Sequence, residues 1–439
     1  MKHFGSGGWG VGDIEVTAEF DEALHEIQSR HRSIYVTGSA GTGKSTLLRC
    51  FLAATDLEVV VLAPTGVAAV QVGGQTIHSF FGFPPRLIDR GDIKPVRDPT
   101  SMRKMDVLVL DEASMISANL MDAIDKSLRL NRGRMESPFG GVQLVLVGDL
   151  CQLPPVVKDG AQTVFDARYG GIYFFDAPVF RKRRMGYIEL TRVFRQTNTR
   201  FAQLLHAIRE GAPPSAVLSE LNRRVREREA LSSPEDYVIL TPTNRIANQL
   251  NLSELGKLEP PERQYEAVVT GEFDLRDAPG EELLRLRKAA RVILLSNDRD
   301  GRWVNGTIGT VQELSASCVK VRVGGSDFEV EPYLWEQIRY QYDQKLDRVS
   351  QQVVGTFRQL PMRLAWALTI HKSQGTQFDE VVVALPSESS RLLTRELLYT
   401  AVTRASGKVT LVGEEAVIRH AINRSVQRAS GLGERLWAI

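Results

Sequence analysis

Cysteine is scarce in this chain. Three residues in 439, Cys50, Cys151 and Cys318, lie far apart and lack metal-ligand spacing. That argues against a disulfide framework or structural zinc and for a reducing compartment. An excess of one charge is lacking too: 55 Lys and Arg stand against 53 Asp and Glu, a formal net charge of +2. Any grip on nucleic acid must then come from local clusters and not from an overall field. No apolar run approaches the length of a membrane span, so no membrane partner is expected. The first dozen residues have glycines but no signal-peptide apolar core. They read as a flexible tail or an expression remnant, and the expected compartment is the cytoplasm. Internal repeats and low-complexity segments are absent as well. What remains is a soluble globular composition, 43% hydrophobic and 25% charged. The chain is too long for one core of ordinary size, so two or three domains are expected.

The most informative stretch is Ser33-Ile-Tyr-Val-Thr-Gly-Ser-Ala-Gly-Thr-Gly-Lys-Ser-Thr-Leu-Leu, ending at Leu48. Apolar β-formers lead into Gly38, Gly38 to Ser45 fits G-x-x-x-x-G-K-[ST], and a good helix sequence follows. Gly38, Gly41 and Gly43 let successive backbone N–H groups point inward, and those donors with the positive end of the helix suit a triphosphate. The predicted cradle is Gly38, Ser39, Ala40, Gly41, Thr42, Gly43, Lys44, Ser45 and Thr46. In it Lys44 reaches the β/γ-phosphates of ATP and the Ser45 hydroxyl binds Mg²⁺. A Gly-rich turn with an incidental lysine is the bland reading, and the strand–loop–helix order disfavours it.

From Ser33 to about Arg184, β-rich runs (Ile34–Thr37, Val59–Ala63, Val107–Leu110, Leu144–Val147) alternate with helical patterns. This predicts βαβ units and a parallel sheet. The pattern lapses over residues 80–101, which read as a small insertion. A second alternating set (Ile188–Leu190, Tyr237–Leu240, Leu364–Ile370, Val381–Leu385, Val409–Val412) predicts another parallel sheet. It is interrupted over 291–357 by short strands with Gly turns, as in a small inserted barrel. The expected division is 1–32 as tail and leading helix, 33–184 as the first domain, 185–290 with 358–439 as the second, and 291–357 as the barrel. Arg-rich Asn222–Arg228 reads as a solvated helix face.

Asp111 and Glu112 end the run Val107–Leu110, where Asp111 suits the Mg²⁺ shell and Glu112 suits a base for the attacking water. Gln152, in Gly148-Asp-Leu-Cys-Gln-Leu-Pro-Pro after the next strand, can sense the γ-phosphate or read as a polar loop residue. Arg195 in Thr191-Arg-Val-Phe-Arg-Gln and Arg404 in Ala401-Val-Thr-Arg-Ala lie beyond the first sheet. Both are candidate arginine fingers reaching across from the second domain, although either arginine alone also suits a surface ion pair.

These pieces, in this order, resemble a superfamily 1 helicase of the Pif family, kin of the RecD-type enzymes. The motifs are residues 38–46, Ala-Pro-Thr-Gly-Val-Ala-Ala (63–69), Thr-Ile-His-Ser-Phe-Phe (76–81), Val-Leu-Asp-Glu-Ala-Ser-Met (109–115) and residues 148–155. The second half adds Leu-Thr-Arg-Val-Phe-Arg-Gln (190–196), Thr-Ile-His-Lys-Ser-Gln-Gly (369–375) and Tyr-Thr-Ala-Val-Thr-Arg-Ala (399–405). Asp125–Gln143 resembles the family's signature segment. The resemblance implies an α/β fold of two RecA-like P-loop domains with parallel sheets, a small wedge insertion in the first and an SH3-like β-barrel insertion in the second. It also implies ATP-driven 5′→3′ travel on single-stranded DNA and unwinding of duplex or G-quadruplex junctions, and a monomer is expected. One departure concerns the base: the family's adenine-reading glutamine is replaced by the neighbourhood of Asp21 and Glu22, and Gln28 is too close to the cradle.

A motor of that kind grips a strand through its backbone and by stacking. Pro64 and Thr65 follow a sheet strand and can meet phosphates, while His78, Phe80 and Phe81 offer a hydrogen bond and stacking faces. The two phenylalanines equally suit a core. By family analogy Thr241, His371, Lys372 and Ser373 contact the sugar-phosphate backbone in the second domain. Lys345 and Arg348 fit a solvated hairpin better than a DNA contact. Two rivals stay open at this point: a P-loop ATPase or nucleotide kinase without a nucleic-acid substrate, and a DNA-binding regulator that uses ATP only as a switch.

Overall fold

A computed structural model of the protein describes residues 16–29, 32–157, 159–181, 185–194, 205, 207–209, 237–273, 275, 278–343, 348–374, 376, 378–424 and 436–438. Arg195, Asn222–Arg228 and Lys345 lie outside them.

Strands Ile34–Gly38, Val59–Ala63, Val107–Leu110 and Gln143–Val147 form the centre of a seven-stranded sheet whose described pairings are all parallel. Their side chains divide as a two-residue period requires. Ile34, Val36, Val107, Val109, Val145 and Val147 face one core with the helices Ala18–Ser29 and Lys44–Ala54. Tyr35, Leu108, Leu110, Leu144 and Leu146 face the other core, with the helix Ala118–Arg132. Burial on both faces explains why these strands read as unbroken apolar runs. The leading helix is therefore part of the first lobe: Phe20, Ala23, Leu24 and Ile27 close its core.

Two strands depart from the sequence-based division. Met185–Leu190 pairs with the cradle strand, Ile34 opposite Gly186, so it belongs to the first sheet and not the second. Leu436–Ala438 then pairs beside it, returning the chain to the first lobe. The full order is 436–438, 185–190, 34–38, 143–147, 107–110, 59–63, 75–76.

The insertion after Phe80 folds back onto Ala118–Arg132. Asn119 exchanges hydrogen bonds with the backbone of Ile88 (2.9 and 2.7 Å), and Asn131 Oδ1 accepts the Val96 N–H at 2.8 Å. Arg132 donates to the carbonyls of Met102, Arg103, Met105 and Gly140. Asp125 accepts from Arg129 and from the N–H of Phe139, which it holds at φ 52°. The signature segment is thus a scaffold for the insertion.

The second sheet is parallel, in the order Ala367–Thr369, Val238–Thr241, Phe378–Leu385, Ala405–Gly413. The helices Arg395–Val402 and Glu415–Asn423 cover one face and Asn244–Leu255 packs on the other. The all-β insertion is larger than residues 291–357. A five-stranded antiparallel sheet ends with Met362–Leu364, and Arg263–Glu266 and Leu283–Leu286 pair with each other. Tyr265, Leu284, Leu286 and Met362 share one core with Val292 and Val321, so packing carries the barrel from about Arg263 to Leu364.

Candidate nucleotide site and nucleic-acid surface

The parallel strands of each lobe end on one side, which is where an open α/β sheet presents its loops to ligands. The cradle follows Ile34–Gly38. Gly41 and Gly43 adopt φ 83° and 91°, left-handed values that disfavour a side chain. Gly43 also starts the helix Lys44–Ala54 with no side-chain cap, leaving the first helical N–H groups for another acceptor. Lys44 Nζ donates to the carbonyls of Gly38 and Ser39 at 2.7 and 2.8 Å. Burial pushes its pKa down, while the carboxylates of Asp149, Glu112 and Asp111 pull it back. Thr42 is buried and its hydroxyl donates to Ser39 O at 2.9 Å, whereas Ser45 is exposed.

Asp111 stands directly beyond Val107–Leu110. Burial and then the Glu112 charge raise its pKa to about 7. Glu112 is left-handed at φ 50° and ψ 45°, a strained state for a non-glycine residue that costs on the order of 1 kcal/mol or more. Among the described residues no cluster of three His, Cys, Asp or Glu could hold a metal alone. Mg²⁺ needs less, because one or two carboxylates plus phosphate oxygens suffice. The uncapped helix start, Lys44, the Ser45 hydroxyl and Asp111 fit Mg²⁺–triphosphate.

Arg404 comes from the second lobe and is nearly fully buried. Its Nε donates to Thr400 O at 3.1 Å, and its Nη2 donates to Gln152 Oε1 at 3.1 Å and to Thr403 Oγ1 at 3.3 Å. Burial lowers its pKa and the Glu112 charge offsets that. The structure thus brings Lys44, Asp111, Glu112, Gln152 and Arg404 to one cleft. The loop bearing Gln152 enters the other lobe bodily: Leu153 joins the second core, and its carbonyl accepts from Gln374 at 3.4 Å.

Arg195 itself lies outside the described residues, but the segment before it is described. The strand Met185–Leu190 that leads to it is in the first sheet, and the Phe194 N–H donates to Gly41 O at 2.9 Å. That segment therefore runs along the cradle's own wall as far as Phe194. Sequence reasoning missed three groups here. Asp149 is buried and accepts from Tyr399 at 2.8 Å, and Arg209 lies 3.8 Å from Asp149 and 2.8 Å from Glu189. For Asp149 and Tyr399 the available signal was their place inside the motifs of Gln152 and Arg404; Arg209 stands in no motif, and only the fold brings it there.

On the strand-end surface, Pro64 and Thr65 are half-buried, and Thr65 Oγ1 accepts the Ala68 N–H at 3.3 Å. His78 is half-buried on the short helix Ile77–Phe81, and burial lowers its pKa, so the ring is neutral at neutral pH. Phe81 is core, stacked on Phe83 at 5.1 Å; Phe80 meets it edge-on at 5.0 Å and stays half-buried. Thr241 and Ser373 are corrections, because both are fully buried and donate their hydroxyls to the carbonyls of Thr243 and Ile370. They brace the strand ends instead of facing outward. His371 is exposed beside them. Lys372 is half-buried, its pKa pushed down to about 7 by burial and by the Arg363 charge, against the pull of Glu281. The barrel closes on this surface: a methyl on Gly66 would lie 2.9 Å from Val304 Cβ and 3.2 Å from Asn297 Oδ1.

Comparison with known proteins matches this geometry. A family model described as PIF1-like helicase covers residues 15–217, and one described as UvrD-like helicase C-terminal domain covers 364–412. The chain is 30% identical over 385 residues to the ATP-dependent DNA helicase Pif1 of Bdellovibrio bacteriovorus, spanning 84% of this chain and 82% of that one. Vertebrate relatives are longer, and the chain spans 58 to 60% of them. Among solved structures, Pif1 helicase from Bacteroides in complex with ADP-AlF3 and ssDNA superposes with a TM-score of 0.79 at 32% identity, over 95% of this chain and 96% of that one. Unliganded Pif1 from Bacteroides sp, also 32% identical and covered to 96% over 92% of this chain, gives 0.56. The chain belongs to the PIF1-like helicase family of ATP-dependent DNA helicases.

Proposed function

We propose that this helicase moves 5′→3′ along single-stranded DNA as a monomer and opens duplex or G-quadruplex junctions, by closing its lobes on ATP and parting them after hydrolysis. The observation that carries this is the hydrogen bond from Arg404 Nη2 to Gln152 Oε1 at 3.1 Å, a cation of one lobe on the polar sensor of the other. In this reading the cradle N–H groups from Gly38 to Thr46 and the Lys44 ammonium hold the β/γ-phosphates. Ser45 and Asp111 would hold Mg²⁺, which would supply charge neutralisation at the phosphates. Glu112 takes the proton of the attacking water, Gln152 orients that water, and Arg404 answers the charge that develops on the γ-phosphoryl oxygens. Arg195, outside the described residues, is a second candidate for that role.

Pro64, Thr65, His78, Phe80, His371 and Lys372 would hold the strand from two lobes, with Thr241 and Ser373 setting the loops that present them. TM-scores of 0.79 and 0.76 against the Bacteroides relative with ssDNA bound, against 0.57 with ADP-AlF4 and 0.56 unliganded, support this arrangement of the lobes as the one that holds DNA. The wedge role of the insertion rests on its rigid mounting by Asn119, Asn131 and Arg132. The test is unwinding of matched duplexes with either a 5′ or a 3′ single-stranded tail. Opening of the 5′-tailed substrate alone is expected, and preference for the 3′ tail would reverse the polarity. Hydrolysis indifferent to single-stranded DNA would favour the ATPase without a nucleic-acid substrate.

A further inference from the structure

The helix Arg395–Val402 meets the first lobe at a second point, five residues before Arg404. Tyr399 is fully buried there. Its hydroxyl accepts the Ala40 N–H at 3.2 Å and donates to Asp149 Oδ2 at 2.8 Å. Ala40 is a cradle residue, and Asp149 opens the loop that carries Gln152. The other Asp149 oxygen accepts the Cys151 N–H at 3.0 Å, which stiffens that loop. One phenol therefore ties together the cradle, the sensor loop and the helix of the arginine. A hydroxyl that donates to a buried carboxylate while accepting from a backbone amide has its direction set at both ends. The Arg404 guanidinium is itself pinned to Thr400 O, one residue beyond Tyr399, so it moves with that helix as a unit.

We propose that Tyr399 is a positioning residue that couples the state of the phosphate cradle to the placement of Arg404. The inference rests on the proposed role of Arg404. Filling of the cradle shifts the Ala40 amide, the phenol follows, and the helix sets Arg404 against Gln152. Without the hydroxyl the two walls still meet through packing, but the arginine loses its reference to the loop that holds the phosphates.

The variant Tyr399→Phe keeps the ring and removes both bonds. Phosphate release with and without single-stranded DNA, binding of a fluorescent ATP analogue and thermal melting are measured on the full chain. Turnover at saturating ATP and DNA is expected to fall about tenfold while nucleotide affinity stays within about threefold. Ile418→Ala, a fully buried change on the neighbouring helix, reports what lost packing alone does, and it should lower melting while leaving turnover near wild type. Turnover of Tyr399→Phe within about twofold of wild type would overturn the proposal. So would an equal fall in Ile418→Ala at a matched loss of melting temperature. If the wild type itself shows no DNA-stimulated hydrolysis, the underlying motor reading falls, and the proposal with it, and that result is visible before any variant is made.

Discussion

One wall of the cleft is continuous in the chain and the other is assembled. The cradle takes Gly38 to Thr46 from a single strand–loop–helix passage. Opposite it, Tyr399 and Arg404 meet Asp149 and Gln152 across sequence separations of 250 and 252 residues. A local wall exists whenever its own lobe is folded. The assembled wall exists only when two lobes are docked, so it can report on their approach. The difference separates a wall fixed by packing inside one lobe from one that the approach of two lobes can alter.

Substitutions should separate the two walls. Arg404→Ala is expected to cut hydrolysis by roughly 10³-fold while leaving most nucleotide affinity, as read by phosphate release against fluorescent-nucleotide binding. Unchanged hydrolysis would remove it from the site. Lys44→Ala should cost about 10²–10³-fold and, unlike Arg404→Ala, should weaken nucleotide binding as well; a variant that binds ATP normally would blur the contrast. Gly66→Ala drives a methyl toward Val304 Cβ at 2.9 Å. It should weaken single-stranded DNA binding by roughly fivefold with DNA-free hydrolysis unchanged, and adding Val304→Gly should restore it.

The smallest effect concerns pH. Burial and Arg363 hold the Lys372 pKa at about 7, and a lysine is charged only below its pKa. A phosphate contact made by Lys372 therefore fades as pH rises through 7 or somewhat above, since the phosphate itself favours the charged form. The slope of log affinity against log salt should shrink by about one unit between pH 6 and pH 9, and not in Lys372→Met. The folding linkage has its own sign. The unfolded chain holds this proton more tightly, so the Lys372 contribution makes stability rise with pH from about 7 toward 10.5.

Much of the fold is legible because buried parallel strands read as apolar runs and a phosphate cradle is a local pattern. What escapes is non-local. Met185–Leu190 looks like any alternating strand, and only its pairing with Ile34–Gly38 decides its sheet. Arg263–Glu266 buries only Tyr265 of its four residues, so its barrel membership leaves almost no trace in composition. Thr241 and Ser373 carry the polarity of surface residues but satisfy it on nearby carbonyls. Tyr399 opens a motif singled out for its arginine, and its bonds to Ala40 and Asp149 come into view only once the lobes are docked.

The return of the chain through Leu436–Ala438 carries a mechanical consequence. The peptide that leaves for the second lobe and the one that comes back are neighbours at one margin of the first sheet. A swing of the first lobe about that margin would move each of its strands in proportion to its distance from the margin. The strand feeding Pro64 and Thr65 lies four strand spacings from Met185–Leu190, a lever of roughly 19 Å. A turn of about 10° about it would displace that far rim by roughly 3 Å, so Pro64 and Thr65 stand on the long arm of such a motion and the Gly38–Thr46 cradle on the short one.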